Sequence, residues 1–460
     1  MLLTINKQPL LLILFIFLCS CSQPLFAKDF SVAPTDDLQK MINASQDGDT
    51  LNLSAGQYFG NFVITKQITL RGSSEKGSII DAQGKGHALT LKNSHITIDS
   101  LTIVNWGDDL TEQNSGIYSN EKVGLSSDKK KATGLVIKNN TLSGDGFGIW
   151  LNHVTQAKIF NNKIKGNLAL RSADRGNGIQ VANVTHSHVF KNEAYEVRDG
   201  VYVISSQNNI IENNSMHDLR YGIHYMYSYD NTVKDNTAYN TRAGYALMSS
   251  RRLIITGNKT TDSEDYGFLL NFITQSTISN NHIKNVWTKP ENKVLGRDGK
   301  GLFVYNSGFN TLENNIIDTA EIGIHLTAGS ENIKIYGNSF INNPTQVKYV
   351  SNTKQEWSKD GRGNYWSNYL GWDMDNDGIG DAIFEPNDGI DKLVWQYPEM
   401  KMIMDSPAIL ILRWVQKQFP VLKPPGVKDS YPIMTPHFSQ PEPTSLVNIS
   451  KAESLQEEKL

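Results

Sequence analysis

Residues 222–228 read GIHYMYS, and one 22-residue step later the chain reads GYALMSS at 244–250. In strands whose alternate side chains are buried, Ile223, Tyr225, Tyr245 and Leu247 point inward. His224, Met226 and Met248 then point outward, with Met248 directly above Met226. Thioether sulfur and imidazole suit Cu(I) and need no thiol. Met216 and His217, on the turn after Asn214, extend the set of copper candidates. The alternative is plain hydrophobic cover beneath a loop or partner, because methionine fills irregular apolar surface.

A second column is cationic. Arg198, Arg220 and Arg242 stand in EVRDGV, DLRYGI and NTRAGY, each two residues before a glycine. Charges stacked about 5 Å apart repel by roughly 1 kcal/mol per pair in water and several-fold more near a protein surface. Negative charge must therefore lie close by. Glu196, Asp199 and Asp218 could interleave with the arginines. Otherwise the three arginines, with Tyr202 exposed beside them, bind an anionic cargo or an acidic partner.

A third set lies far along the chain, where Asp373, Asp375, Asp377, Gly378 and Asp381 follow the order D-x-D-x-D-G-x-x-D. That order places carboxylate oxygens around a tight glycine bend, as calcium requires. Phe384 occupies the position where a bidentate Glu is usual, with Glu385 adjacent. The competing reading is an Asp-rich turn held by its own backbone. Met400, Met402 and Met404 alternate in MKMIM, which fits one face of a strand or a further Cu(I) motif.

The elements that position these groups follow from repetition. Asparagine recurs in IKNNTL, IFNNKI, VFKNEA, IIENNSM, VKDNTA, ITGNKT, ISNNHI, LENNII and IYGNSF, the last Asn falling at 140, 162, 192, 214, 236, 258, 281, 315 and 338. Most steps are 22 or 23 residues. The two long steps, of 30 and 34, hold polar inserts at 167–175 and 287–298. Each Asn is followed by a glycine and a short apolar alternation such as GIWL, GVYV or GIHL. A period near 22 with several short strands predicts an all-β fold, a single-stranded right-handed parallel β-helix. Asn suits its turns, tolerating left-handed backbone and hydrogen-bonding along the stack. Coils lie about 4.8 Å apart, so 22-residue spacing becomes vertical columns. TDDLQKMINA (35–44) predicts a short helix capping the N-terminal end, with Thr35 as N-cap and Leu38, Met41 and Ile42 on one face.

The remainder of the chain sets the context. Its 460 residues are 39% hydrophobic and 20% charged, enough apolar material for a substantial core. A net charge of −3 gives no global case for binding nucleic acid. Lys7, the apolar run LLLILFIFL (10–18) and LFA before Lys28 predict a cleaved signal peptide over 1–27 and a periplasmic protein. A lipobox at LCSC with Cys21 lipidated is the alternative. Cys19 and Cys21 both lie in this leader, so disulfides and thiolate metal sites are excluded from the mature chain. The solenoid is expected over 28–350, a C-terminal segment over 351–437 and a disordered polar tail over 438–460. Within that segment SPAILILRWVQKQF (406–419) starts with Ser-Pro, predicts a helix apolar almost all round, and leads into a Pro-rich strap.

The run GNYWSNYLGWDMDNDGIGDAIFEPNDGIDKLVWQYP, followed by SPAILILRWVQKQFPVLKPPGVKDSYP, resembles the NosD family of nitrous-oxide-reductase maturation proteins. The Asn/Gly coils before it match the same family's solenoid. The resemblance implies a periplasmic, non-enzymatic accessory protein that works with the membrane subunit of an ABC transporter. It would accept copper, a sulfur species or both, from a donor such as a copper chaperone, and help build the copper–sulfide centres of nitrous oxide reductase. No family motif assigns ligands here, so the His224, Met226 and Met248 reading rests on the columns alone. A second class stays open, since parallel β-helices also host polysaccharide lyases and epimerases, and the arginine column could hold a polyuronate.

Overall fold

The structure, a computed structural model, describes residues 27–73, 77–120, 131–327, 329–351, 353–404, 406–419 and 425–437. The expected leader through residue 26, the stretch 420–424 of the Pro-rich strap and the tail from 438 lie outside these residues. The chain winds as a right-handed parallel β-helix. Among the described residues its two long sheets hold 13 and 22 strands, and every pairing within them is parallel. In the middle coils the second sheet bends, so that Ser215–Met226, Thr237–Met248 and Lys259–Asn271 each run as one long strand across two faces.

Stacking in register builds the core. Ile223 pairs with Tyr245 and Tyr245 with Phe268, all three fully buried, and the last two rings stack at 4.3 Å. Each such side chain contributes roughly 1.5–3 kcal/mol through burial. The glycine opening each alternation sits where adjacent coils touch. A Cβ on Gly222 would meet the Gly244 carbonyl at 2.5 Å and Ala238 Cβ at 2.8 Å, so only glycine lets the coils close.

The asparagines form one continuous ladder. Asn214 Nδ2 donates to Asn236 Oδ1 at 2.9 Å, and Asn236 Nδ2 to Asn258 Oδ1 at 2.9 Å, a pattern running from Asn140 to Asn364. Each rung also accepts the backbone N–H of the rung before it. The structure divides two tasks that the sequence assigned to one residue. The buried Asn carries the ladder, whereas the residue preceding it takes the left-handed backbone, as at Asn139, Asn213 and Asp235.

The ladder outlasts the boundary expected at Val350. Asn364 is its last amide, and Tyr365–Trp366 adds one more strand onto Ser339–Ile341. Asp429 terminates it, accepting from Asn364 N at 2.7 Å and from Trp366 Nε1 at 2.8 Å. Burial holds the Asp429 carboxyl above its ordinary range despite these donors. Among the described residues three short α-helices complete the fold. Helix α1 (Leu38–Ala44) closes the N-terminal end with Leu38 and Ile42 buried, but its N-cap is Asp37, which accepts from Lys40 N, not Thr35. Helix α2 (Gly389–Gln396) is absent from the sequence reading, and a capping box between Asp388 and Asp391 starts it. Helix α3 (Pro407–Gln418) begins at Ser406 as expected. MKMIM is not a strand, since its first residues form a 3₁₀ turn with Met402 exposed.

Candidate functional site

The outward face of the middle coils brings the first candidates together. Tyr202 pairs with His224, and Met226 pairs with Met248 on the next coil, as the columns require. His224 faces out of the sheet yet is buried, because Tyr202 stacks on its ring at 4.3 Å and Tyr221 meets it edge-on at 5.2 Å. Its Nδ1 lies 2.9 Å from Asp199 Oδ2. An ionised carboxylate only accepts, so Nδ1 carries a proton, and in the neutral ring Nε2 then presents its lone pair. That Nε2 is buried and has no hydrogen-bond partner among the described residues. A buried imidazole nitrogen without a partner is costly unless something binds it. Histidines that ligate metals characteristically donate their other N–H to a carboxylate, as here.

Asp199 is the residue that sequence reasoning placed among the arginine partners but did not connect to His224. It is fully buried and also accepts from Arg220, through Nε at 2.9 Å and Nη2 at 2.7 Å. Burial pushes its carboxyl up, but the hydrogen bonds from His224 and Arg220 outweigh this and hold it below its ordinary value. Tyr202 is pushed up, first by burial and then by the Asp199 charge. It keeps its proton and donates it to the Met226 sulfur at 3.1 Å. Met226 and Met248 are both half-buried and in the same column.

Two copper candidates do not join this group. Met216 is fully buried in the hydrophobic core, because the second residue after each ladder Asn points inward. His217 faces out of a neighbouring strand segment, and both its ring nitrogens are occupied, Nδ1 by Asp218 at 2.6 Å and Nε2 by Glu193 at 3.4 Å. It serves as the middle ring of a Tyr195–His217–Tyr239 stack.

The arginine column resolves largely into ion pairs. Arg220 pairs with Asp199, and Arg242 pairs with Asp265 at 2.5 Å. Neither Glu196 nor Asp218 takes this part. Arg198 differs from its neighbours, with Nε buried and unpartnered. In the C-terminal segment Asp373, Asp375 and Asp377 converge to within 4.8 Å, while Asp381 accepts from Met374 N beside them. Asp373 accepts from the backbone of Asp377 and Gly378, and Asp377 from that of Ile379. Those bonds hold the loop as an Asp-rich turn, while the clustered carboxylates of Asp373, Asp375 and Asp377 keep the arrangement that a calcium site would use.

The C-terminal helices form a separate surface. Arg413 of α3 pairs with Asp391 at 2.8 Å and with Asp388 on the first turn of α2. Ile409 is buried, whereas Leu410, Ile411, Leu412, Trp414 and Phe419 are exposed. Among the described residues no helix is long and apolar enough to cross a membrane.

Comparison with known proteins agrees with this anatomy. Residues 160–371, which span the middle coils and the start of the C-terminal segment, match the family described as "Periplasmic copper-binding protein (NosD)". A Pseudomonas aeruginosa protein named "Probable ABC transporter binding protein NosD" is 49% identical over 412 residues, covering 89% of this chain and 93% of its own. A Stutzerimonas stutzeri protein of the same name is 49% identical over 385 residues, covering 83% and 86%. Among solved structures, the mannuronan epimerase A-module of Azotobacter vinelandii has a TM-score of 0.50 at 14% identity, over 68% of this chain and 89% of its own. A family 28 exopolygalacturonase of Yersinia enterocolitica has a TM-score of 0.51 at 13% identity, over 71% and 79%. At that identity the likeness establishes the β-helix and nothing about activity. With near-half identity along almost its whole length, the chain belongs to the NosD family.

Proposed function

We propose that this protein is a periplasmic copper carrier that delivers Cu(I) for the copper–sulfide centres of nitrous oxide reductase, in concert with an ABC transporter. His224 Nε2 is the anchoring ligand, with the Met226 and Met248 sulfurs completing a soft site on adjacent coils. The observation that carries this reading is the buried, unpartnered Nε2, whose lone pair is fixed outward by Asp199. Imidazole plus two thioethers favours Cu(I) over harder ions and needs no cysteine. When copper binds, Met226 exchanges its hydrogen bond from Tyr202 for the metal, a modest cost. The partial exposure of Met226 and Met248 lets a donor chaperone or the reductase take the metal by ligand exchange. The exposed apolar side of α3 is the dock for the transporter's membrane subunit, since patches of this kind mark interaction surfaces.

A competition titration with a chromophoric Cu(I) chelator on the mature protein tests the copper site. The triple variant His224→Asn, Met226→Ile, Met248→Ile should lose more than about tenfold in affinity, whereas His217→Asn should titrate as the wild type. Equal affinity in the triple variant removes this column from the copper path.

A further inference from the structure

The two inserts that interrupt the period share a destination. Leu168, Ser172 and Arg175 come from the first, and Lys289 comes from the second. They converge over the coils that carry Arg220 and Arg242, and together line an open cavity of about 310 Å³. Nothing in coil stacking requires two insertions 120 residues apart to meet over the same pair of coils, since each coil is already closed by its neighbours. Loops that converge on a rigid scaffold are where binding sites are built.

The lining charges separate into engaged and free. Two carboxylates reach the cavity, Asp218 and Glu264. Asp218 already accepts from His217 and Asn240, and Glu264 from Asn292 and Arg297. The four cations are less committed. The Lys289 ammonium makes no hydrogen bond or salt bridge within the described residues, and Asp218 feels its charge only at longer range. Arg175 is almost wholly buried, yet its guanidinium meets only the carbonyls of Leu170 and Glu196. Arg220 uses Nε and Nη2 on Asp199, and Arg242 uses Nε on Asp265, so each retains N–H groups. The Ser172 hydroxyl, on the first insert, is buried without a partner. Uncommitted capacity in this cavity is therefore donor capacity, arranged around a space too small for a macromolecule.

We infer that this cavity is a binding site for a small multivalent oxyanion, held by Arg175, Arg220, Arg242 and Lys289. Planar guanidinium groups bind such anions through paired N–H donors, and a free ammonium adds a point charge. The site is distinct from the Met226–Met248 column and does not rest on the copper reading. Arg220 nevertheless spans both, since the carboxylate it holds is the one that orients His224.

Isothermal titration of the metal-free mature protein with inorganic phosphate, sulfate and thiosulfate, at fixed ionic strength, tests the inference. Saturable one-site binding of at least one anion is expected, weakened about fivefold or more by Lys289→Gln and further by Arg242→Gln. Lys289 lies on an insert outside the core, so its variant folds as the wild type. Absence of saturable binding for all three anions overturns the inference, as does binding that neither substitution alters. Running the titration without copper keeps its failure separate from that of the metal site.

Discussion

Replacing Asp199 with Asn keeps the shape and removes the charge, which makes it the most informative single substitution. In the native chain this fully buried carboxylate accepts two hydrogen bonds from Arg220 and one from His224 Nδ1. The Asn amide offers one acceptor and one donor group. If its oxygen stays with Arg220, its NH2 faces His224, and Nδ1 must become the acceptor. The imidazole proton then moves to Nε2, the nitrogen that points away from Asp199. Copper binding must expel that proton, and affinity should fall about 10- to 100-fold, the usual cost of losing a carboxylate behind a ligating histidine. Stability should fall as well. Arg220 is left partly buried without its counter-charge, worth about 3 kcal/mol, the lower end for a broken buried pair because its side chain is 21% exposed. The acid limb provides an independent readout. A carboxylate whose native value is depressed stabilises the fold above its unfolded value of 3.8, and that contribution disappears as pH falls through the native value. Wild-type stability should therefore decline below about pH 3.8 in part through Asp199, and the Asn variant should lack this component. Cu(I) competition and urea unfolding across that range are the assays. A variant that is destabilised yet binds copper as tightly as the wild type would refute the argument, for Asp199 would then be structural and His224 no ligand.

Two further outcomes follow from the ladder and the apolar helix. Asn236→Leu removes the acceptor of two Asn214 donors and the donor for Ile211 and Lys234 carbonyls. Each stranded buried group costs about 1–3 kcal/mol, so the total should reach at least about 3 kcal/mol in urea unfolding. A loss under about 1 kcal/mol would show that the ladder is not cooperative. Changing Leu410, Ile411 and Trp414 together to Gln should leave Cu(I) affinity untouched and stability within about 0.5 kcal/mol for each exposed site. Co-purification with the transporter should be lost, and its retention would refute α3 as the dock.

Much of this architecture was legible because a solenoid turns linear period into geometry. The inward set Ile223, Tyr225, Tyr245 and Leu247 and the Met226–Met248 pairing were readable from a 22-residue step and alternation alone. Met216 was misread because the turn at Asn214 was treated as exposed. The equivalent residues Leu142, Ile164, Ala194 and Ala238 are nearly all apolar, which marks that column as inward. The Asp199–His224 bond was harder to see, because it joins residues 25 positions apart on different columns of adjacent coils. Only tabulating the residue before each glycine, a column holding Asp199, Tyr221, Ala243, Tyr266 and Lys300, would have exposed it. Helix α2 was hidden by its length, although the Asp388-x-x-Asp391 spacing of its capping box was present.

The two histidines of the strand Ser215–Met226 differ in the one feature that metal ligation by His224 would need. Both face outward, both stack on tyrosines, and both keep Nδ1 against an aspartate. Burial and residue type do not distinguish them. The second nitrogen does. Glu193 meets His217 Nε2 and satisfies it, so binding a metal there would first break a charge-assisted bond. His224 Nε2 has no such competitor, because the coil below offers Tyr202 and the coil above offers Ala246 at the paired positions. Ala246 has no polar side-chain atom and the Tyr202 hydroxyl is directed at the Met226 sulfur, so neither partners the buried Nε2. That leaves the lone pair desolvated and its bonding capacity unspent, the state in which a soft cation gains most by entering.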